Sequence, residues 1–358
     1  MQPNKISIPL DQGPHETVIE WWYFNGHLHD PDGNAYAFMD CLFKADIEKV
    51  DLPYVRHVPI KKVFKDAKYF YFAHSLLSDI RAQKTYKDVQ NISMVSNDSF
   101  GRERLFINYI DPIIVQGFTD NVIEETATGV FHIKTERFNL AFASKKPPLL
   151  EGGAGHITVC GRDSYYYSLT DLEASGHVTI DGKRIEVKGK AWMDHQWANV
   201  AYRQDIWTWF SFQLDDGTDM MCCEYDDGQK KDCIVDGLAP SGKDFHYTKL
   251  SLAPGSDIWK SPTTNAEYPL RWTISIPEYG AELQVRALVK DNELISLGVN
   301  YWEGPIEVSG KIGGKEVKGV GFMELVGYAT DYNHLLAGGK EIAKRVVDFL
   351  KGNKGGTA

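Results

Sequence analysis

The residues best placed to do chemistry lie in one run near the middle of the chain, Lys190-Ala-Trp-Met-Asp-His-Gln-Trp197. It gathers two indoles, a carboxyl and an imidazole into a short stretch. As a strand it sends Trp192, Asp194 and Gln196 to one face and Met193, His195 and Trp197 to the other. Indole around a carboxyl disfavours its charged form and raises its pKa, which makes a proton donor. The same pattern fits an amphipathic strand whose aspartate is hydrogen-bonded at a bend, and the segment alone leaves both readings open. His195 joins Asp194 only if a bulge turns it to the same face.

A second segment, Glu20-Trp-Trp-Tyr-Phe-Asn-Gly-His-Leu28, divides in the same way. Trp22, Phe24 and Leu28 form an apolar face. Trp21, Tyr23, Asn25 and His27 form an amphiphilic one, the pattern of a wall that orients an oily ligand. The alternative is that both faces are core, with Asn25 and His27 approaching solvent at the strand end. Trp207 and Trp209 share a face by the same alternation, and Trp302 lies in a further aromatic segment, Tyr301-Trp-Glu-Gly304.

His74 and Asp79 are another polar pair, although five residues of separation fix no geometry and a structural histidine is the simpler reading. Tyr165-Tyr-Tyr167 reads as sheet packing. The histidines make no H-E-x-x-H signature, and His27-x-His29 lies beside an Asp-Pro-Asp-Gly turn, so no metal is expected. There is no G-x-S-x-G elbow and no phosphate loop. Gly152-Gly153-x-Gly155 lacks the strand–turn–helix setting of a dinucleotide site. No cofactor is expected.

The elements that must hold these residues are strands. Nine Trp, eighteen Tyr and seventeen Phe favour sheets and large apolar cavities over helical bundles. A net charge of −10 opposes a nucleic-acid partner, since neutralising phosphates needs a basic face. Five cysteines without paired spacing suit a reducing compartment. With no basic start and apolar run in Met1 to Asp11, that makes the cytoplasm the expected location. No apolar run is long enough for a transmembrane segment. The oligomeric state is left open.

At 358 residues the chain suggests two domains. Strands are expected at 20–29, 34–43, 177–180, 184–190, 205–214, 218–225, 270–276, 282–288 and 306–308, with a loop excursion over 50–67. A helix is expected at 340–351, where Ile342, Val346, Val347 and Leu350 form a stripe.

The chain also repeats itself. Trp21-Trp-Tyr-Phe-Asn-Gly-His-Leu28 aligns with Trp207-Thr-Trp-Phe-Ser-Phe-Gln-Leu214, each followed by an Asp-Gly turn. Val187-Lys-Gly-Lys-Ala-Trp-Met-Asp194 aligns with Val317-Lys-Gly-Val-Gly-Phe-Met-Glu324. Two homologous all-β units follow, and their size suits up-and-down, lipocalin-like barrels, with paired sandwiches as the alternative. Asp194 falls opposite Glu324, so its position can be structural inheritance; only the first copy keeps indole and imidazole beside the acid. The expected units are an N-terminal barrel domain at 1–202, a C-terminal barrel domain at 203–335, and a helix and tail at 336–358.

These segments carry a resemblance. Glu20–Leu28, Phe72-Ala-His-Ser75 with Asp79, Trp192–Trp197, Tyr301–Gly304 and Gly321-Phe-Met-Glu-Leu-Val-Gly-Tyr328 resemble the two-domain lipocalin-like proteins of the carotenoid 1,2-hydratase and AttH-like group. The resemblance implies two packed antiparallel β-barrels, an apolar cavity at or near their interface, and Asp194 as the acid. It also implies a hydrophobic small-molecule substrate of polyene or isoprenoid type and acid-assisted hydration or cyclisation of a C=C bond. A pericyclic cyclase that works by folding its substrate, and a lipid or pigment carrier, are the alternatives. On this reading Asp194, His74 and Tyr23 are the candidate catalytic groups. Trp21, Asn25, His27, Trp192, His195, Trp197, Trp207, Trp209 and Trp302 are the candidate ligand contacts.

Overall fold

The computed structural model describes residues 5–49, 68–99, 102–111, 121–200, 205–296 and 300–329. The helix expected at 340–351, the excursion at 50–67 and the domain boundary at 202 lie outside the described residues.

The first unit contains β1 (Ile19–His29), β2 (Ala35–Asp46), β3 (Tyr69–Asp79), β4 (Lys84–Val95), β5 (Phe106–Ile110) and β6 (Asn121–Ala127). It continues with β7 (Val130–Lys134), β8 (Phe138–Ser144), β9 (Leu149–Leu150), β10 (His156–Val159), β11 (Arg162–Ile180) and β12 (Lys183–Ala198). Neighbours run in the order β11-β12-β1-β2-β3-β4-β5-β6-β7-β8, and β8 returns to pair with β11, which closes a ten-stranded barrel. A register shift between Leu169 and Leu172 lets the long β11 serve two edges. Its later half meets β8, and its earlier half meets β9 and β10.

The second unit contains β13 (Ile206–Leu214), β14 (Asp219–Asp226), β15 (Lys231–Leu238), β16 (Asp244–Tyr247), β17 (Ser251–Pro254) and β18 (Ile258–Lys260). Then come β19 (Glu267–Pro269), β20 (Arg271–Ile276), β21 (Ala281–Ala287), β22 (Glu293–Leu294), β23 (Tyr301–Ile312) and β24 (Lys315–Val326). Its main sheet runs β16-β15-β14-β13-β24-β23-β21-β20-β17 and forms a half-barrel, with no pairing between β16 and β17 among the described residues. The fold is all-β and lipocalin-like. Strands β11, β12 and β23 run well beyond the expected 177–180, 184–190 and 306–308, because buried polar and aromatic residues interrupt the alternation that marks a strand.

Strand pairing reproduces the sequence repeat. In each unit the first strand pairs with its successor and with the last strand of the unit. Tyr23 therefore sits opposite Asp194, as its counterpart Trp209 sits opposite Glu324. On the strand before, Ser168 flanks Asp194 and Glu303 flanks Glu324.

Three apolar clusters hold these sheets. Trp22, Phe24, Phe38, Phe131, Phe142 and Met193 belong to the cluster that fills the barrel. Burying each side chain of this size stabilises by about 1.5–3 kcal/mol. A second cluster, with Phe210, Phe212 and Trp302, backs the half-barrel. The third lies between the units, where the outward faces of β1, β2, β3, β11 and β12 meet β13, β14, β23 and β24. All five cysteines are free thiols. Among the described residues no helix is long and apolar enough to cross a membrane.

Candidate active site between the two units

Cross-strand register assembles one row on the barrel's outer face. Ser168, Asp194, Tyr23, Cys41 and His74 are successive partners across β11, β12, β1, β2 and β3. A second row, Cys223, Trp209, Glu324 and Glu303, crosses β14, β13, β24 and β23. The rows face each other. The Tyr23 hydroxyl donates to Glu303 Oε1 at 2.8 Å, and Trp209 Nε1 donates to the Tyr166 hydroxyl at 3.3 Å. Tyr23 and Trp209 meet edge to face with centroids 5.7 Å apart.

Asp194 is 3% exposed. Its Oδ1 accepts from Trp192 Nε1 at 2.6 Å and contacts Ser168 Oγ at 2.6 Å, and its Oδ2 accepts from the Tyr166 hydroxyl at 2.9 Å. Burial lifts its pKa, the three hydrogen bonds pull it back, and it settles at about 6. An acid in that range can both hold and release a proton near neutrality.

Two more carboxyls share the layer. Glu303 is fully buried, and burial, then repulsion from Glu324, pushes its pKa well above the usual range against the Tyr23 hydrogen bond. Glu324 accepts from Trp207 Nε1 at 2.7 Å, and burial pushes it up to about 7. Tyr23 is likewise held neutral by burial and by Glu303. Alongside them His74 Nδ1 pairs with the Tyr301 hydroxyl at 2.8 Å, and burial pushes the imidazole down to about 3, so it is neutral. Buried polar atoms almost always find a partner. Glu303 Oε2, His74 Nε2 and Asn25 Nδ2 have none among the described residues, and all three belong to the layer between the units.

The other expected site residues divide by strand parity. Trp192, Trp209 and Tyr23 are in the layer between the units, with Trp21 and Trp207 packed at its margin. His27 bridges the units: its Nε2 donates to the Gly321 carbonyl at 2.8 Å, and burial lowers its pKa to about 4. His195 and Trp197 are on the barrel side of β12, away from Asp194. His195 Nε2 meets Glu20 Oε1 at 2.9 Å, and Trp197 stacks on His15 at 4.0 Å. Lys44 Nζ completes this cluster 2.5 Å from Glu20 Oε2. Burial raises the Glu20 pKa, but His15, His195 and Lys44 outweigh it and hold the carboxyl at about 2. His15, Glu20 and His195 bring three potential metal ligands within 4.8 Å of one another, yet Lys44 already supplies the cation. Trp302 is in the half-barrel core, donating to the Lys290 carbonyl at 2.7 Å. Asp79 caps the turn after β3, accepting from the Ala82 amide, and does not pair with His74.

Ser168, Tyr166, Glu303, Glu324 and Tyr301 join the site without having been singled out for it. The signal for Glu324 was the repeat, which set it opposite Asp194. Tyr166 was hidden within a tyrosine run that reads as packing.

Comparison with known proteins gives the same architecture. A protein from Nitrosomonas europaea described as an AttH superposes with a TM-score of 0.73 at 26% identity, covering 92% of this chain and 98% of that one. The kievitone hydratase structure from Nectria haematococca superposes at 0.71 with 16% identity, covering 91% and 94%. CghA reaches 0.51 at 14%, covering 88% and 90%. These last two likenesses speak to fold alone. By sequence, the dehydratase asqC of Emericella nidulans is 24% identical over 210 residues, 53% of this chain and 58% of that protein. The kievitone hydratase of Fusarium solani subsp. phaseoli is 24% identical over 222 residues, 59% and 63%. The chain thus spans about three fifths of the length of these curated relatives. The sequence profile described as AttH-like matches residues 1–328, which is most of the chain. The chain belongs to the AttH-like family.

Proposed function

We propose that this protein adds water to, or removes it from, a carbon–carbon double bond of a largely apolar small molecule held between the two units. The observation that carries the reading is Asp194, a buried carboxyl poised at about 6, bonded to the Trp192 indole and facing two further acids and the indoles of Trp207 and Trp209 across the layer. In hydration, Asp194 gives its proton to the alkene carbon. The indoles of Trp192 and Trp209 stabilise the resulting cation, as aromatic faces do. Water bonds to the cation and passes its surplus proton to the ionised member of the Glu303–Glu324 pair. Dehydration is the same sequence reversed. A dehydratase and a hydratase among the relatives support this reaction class.

His74 favours a second reading. Its neutral imidazole, with Nε2 unpartnered among the described residues, is a donor able to polarise a carbonyl while the layer, Tyr23 included, folds a polyene for cyclisation.

The test incubates the protein with a panel of polyenes and prenylated phenols and follows gain or loss of one water by mass spectrometry, with binding followed by tryptophan fluorescence. Asp194→Asn is expected to bind and not turn over. Turnover at the wild-type rate in that variant removes Asp194 from the mechanism. Loss in His74→Gln with an unchanged mass favours cyclisation, and binding without conversion by any compound favours a carrier.

A further inference from the structure

An acid sealed between two sheets must regain its proton after each turnover, and Asp194 has one set of polar neighbours that does not end in the site. Ser168 Oγ lies 2.6 Å from Asp194 Oδ1 and 2.6 Å from Glu151 Oε1. A hydroxyl carries one hydrogen and can donate to only one of two carboxylates. The second contact therefore needs a proton on the carboxyl side, with Glu151 donating to Ser168 and Ser168 donating to Asp194.

Glu151 is 0% exposed, and its Oε2 has no donor among the described residues. The Asp236 carboxyl, held by the amide of the next residue in the chain, Gly152, is the acid that faces it, an arrangement in which the two carboxyls can share a proton. Asp236 Oδ1 lies 2.6 Å from His246 Nδ1, and 29% of the His246 side chain reaches solvent.

The chain is built to hold this line. Glu151 begins a turn in which Gly152 and Gly153 take φ of 66° and 80°, the left-handed region that favours glycine. The turn buries the Glu151 side chain, aims the Gly152 amide at Asp236 Oδ2 at 2.8 Å, and leaves room for the His246 ring against Gly153. The glycine run that lacks the setting of a nucleotide site thus has a place in the fold. The titratable groups facing Glu151 are Asp194 and Asp236; those facing His246 are Asp236 and Asp244, whose Oδ2 is 3.1 Å from Nε2. Burial, then Asp236, pushes Glu151 well above the usual carboxylate range. Hydrogen bonding to Asp236, against burial, raises His246.

We propose that His246, Asp236, Glu151 and Ser168 form a proton path from solvent to Asp194. Once Asp194 has given up its proton, the Ser168 hydrogen moves to Asp194 and the Glu151 proton moves to Ser168. Glu151 is refilled from Asp236, Asp236 from the His246 imidazolium, and His246 from water. One proton passes from solvent to Asp194, and Ser168, Glu151, Asp236 and His246 each end with the number of hydrogens they began with.

The catalytic purpose of the path rests on the role of Asp194 proposed above; the path itself is tested without substrate. The buried carboxylic acid band is followed by infrared spectroscopy after mixing into deuterated water at pH 5, where Asp194 is protonated, and is assigned by its loss in Asp194→Asn. Exchange in Ser168→Ala is expected to slow by about a hundredfold, the low end of what removing a positioned proton-transfer group costs. Ser168→Thr, which keeps the hydroxyl, is expected to restore it. His246→Ala, at the outer end and safe for folding, is expected to exchange slowly until imidazole is added. Wild-type exchange in both Ser168→Ala and His246→Ala would overturn the path and mean that protons arrive from the substrate side. Should Ser168→Ala fail to fold, His246→Ala with and without imidazole decides alone. Persistence of turnover in Asp194→Asn would refute the catalytic reading and leave these exchange rates unaltered.

Discussion

Replacing Asp194 by Asn should make the protein more stable at neutral pH while it abolishes activity. A carboxyl whose folded pKa lies above its unfolded value favours folding below the unfolded value. That advantage disappears as pH rises through the folded one. For Asp194 the interval runs from 3.8 to about 6. At about 1.4 kcal/mol per pH unit, ionised Asp194 costs the native state about 3 kcal/mol above that interval. Asn never ionises. It also turns one accepting oxygen into a donor, so Tyr166 loses its acceptor, a cost of about 1 kcal/mol at every pH. The variant should therefore be less stable than wild type by about 1 kcal/mol at pH 3.5 and more stable by about 2 kcal/mol at pH 7.5. Urea unfolding of both proteins across this range measures the difference. Glu303, Glu324 and Glu151 are common to both; removing the Asp194 charge eases their repulsion and reinforces the same trend. Stability curves that stay parallel from pH 3.5 to 7.5 would show that Asp194 titrates as an ordinary aspartate and would refute the argument.

Two further predictions concern the frame around the site. Lys44→Met leaves the buried Glu20 without its ammonium partner and is expected to cost about 3 kcal/mol in urea unfolding, the low end for breaking a buried pair because His15 and His195 still donate; a loss under about 1 kcal/mol, typical of an exposed pair, would show that the imidazoles suffice. Gly321→Ala places a Cβ 1.8 Å from the Ser211 carbonyl oxygen, so β13 and β24 must part, at a cost of about 3 kcal/mol that a lowered Tm reports. Gly13→Ala, which meets nothing within 4 Å, is the neutral control.

Much of this architecture is legible in the sequence, and the reasons are specific. Strand parity separated Trp192 and Asp194 from His195 and Trp197, and the sheet keeps that separation. The repeat predicted that Tyr23 and Trp209, Asp194 and Glu324, would occupy equivalent places, and strand register bears this out. Distant pairing was not legible. Ser168 reaches Asp194 only through the register of β11 on β12, and Tyr23 reaches Glu303 only because the units dock face to face. Parity left His74 without a defined partner; Tyr301, 227 residues away in sequence, supplies it. Trp302 was an expected ligand contact by its setting among aromatics. In the fold it alternates with Tyr301 and Glu303 and faces the half-barrel core.

The filled lumen bears on how such proteins diversify. A barrel that carries its cargo inside must exchange packing for space whenever the cargo changes, because the same side chains do both jobs. Here Trp22, Phe24 and Met193 keep the interior dense, while their sequence neighbours Tyr23 and Asp194 face the seam. Drift on the seam face opens no void in the barrel. Selection for a new molecule and selection for folding then act on alternate residues of one strand. The doubled unit also offers drift two related constellations, one built on Asp194 and one on Glu324, from which to begin.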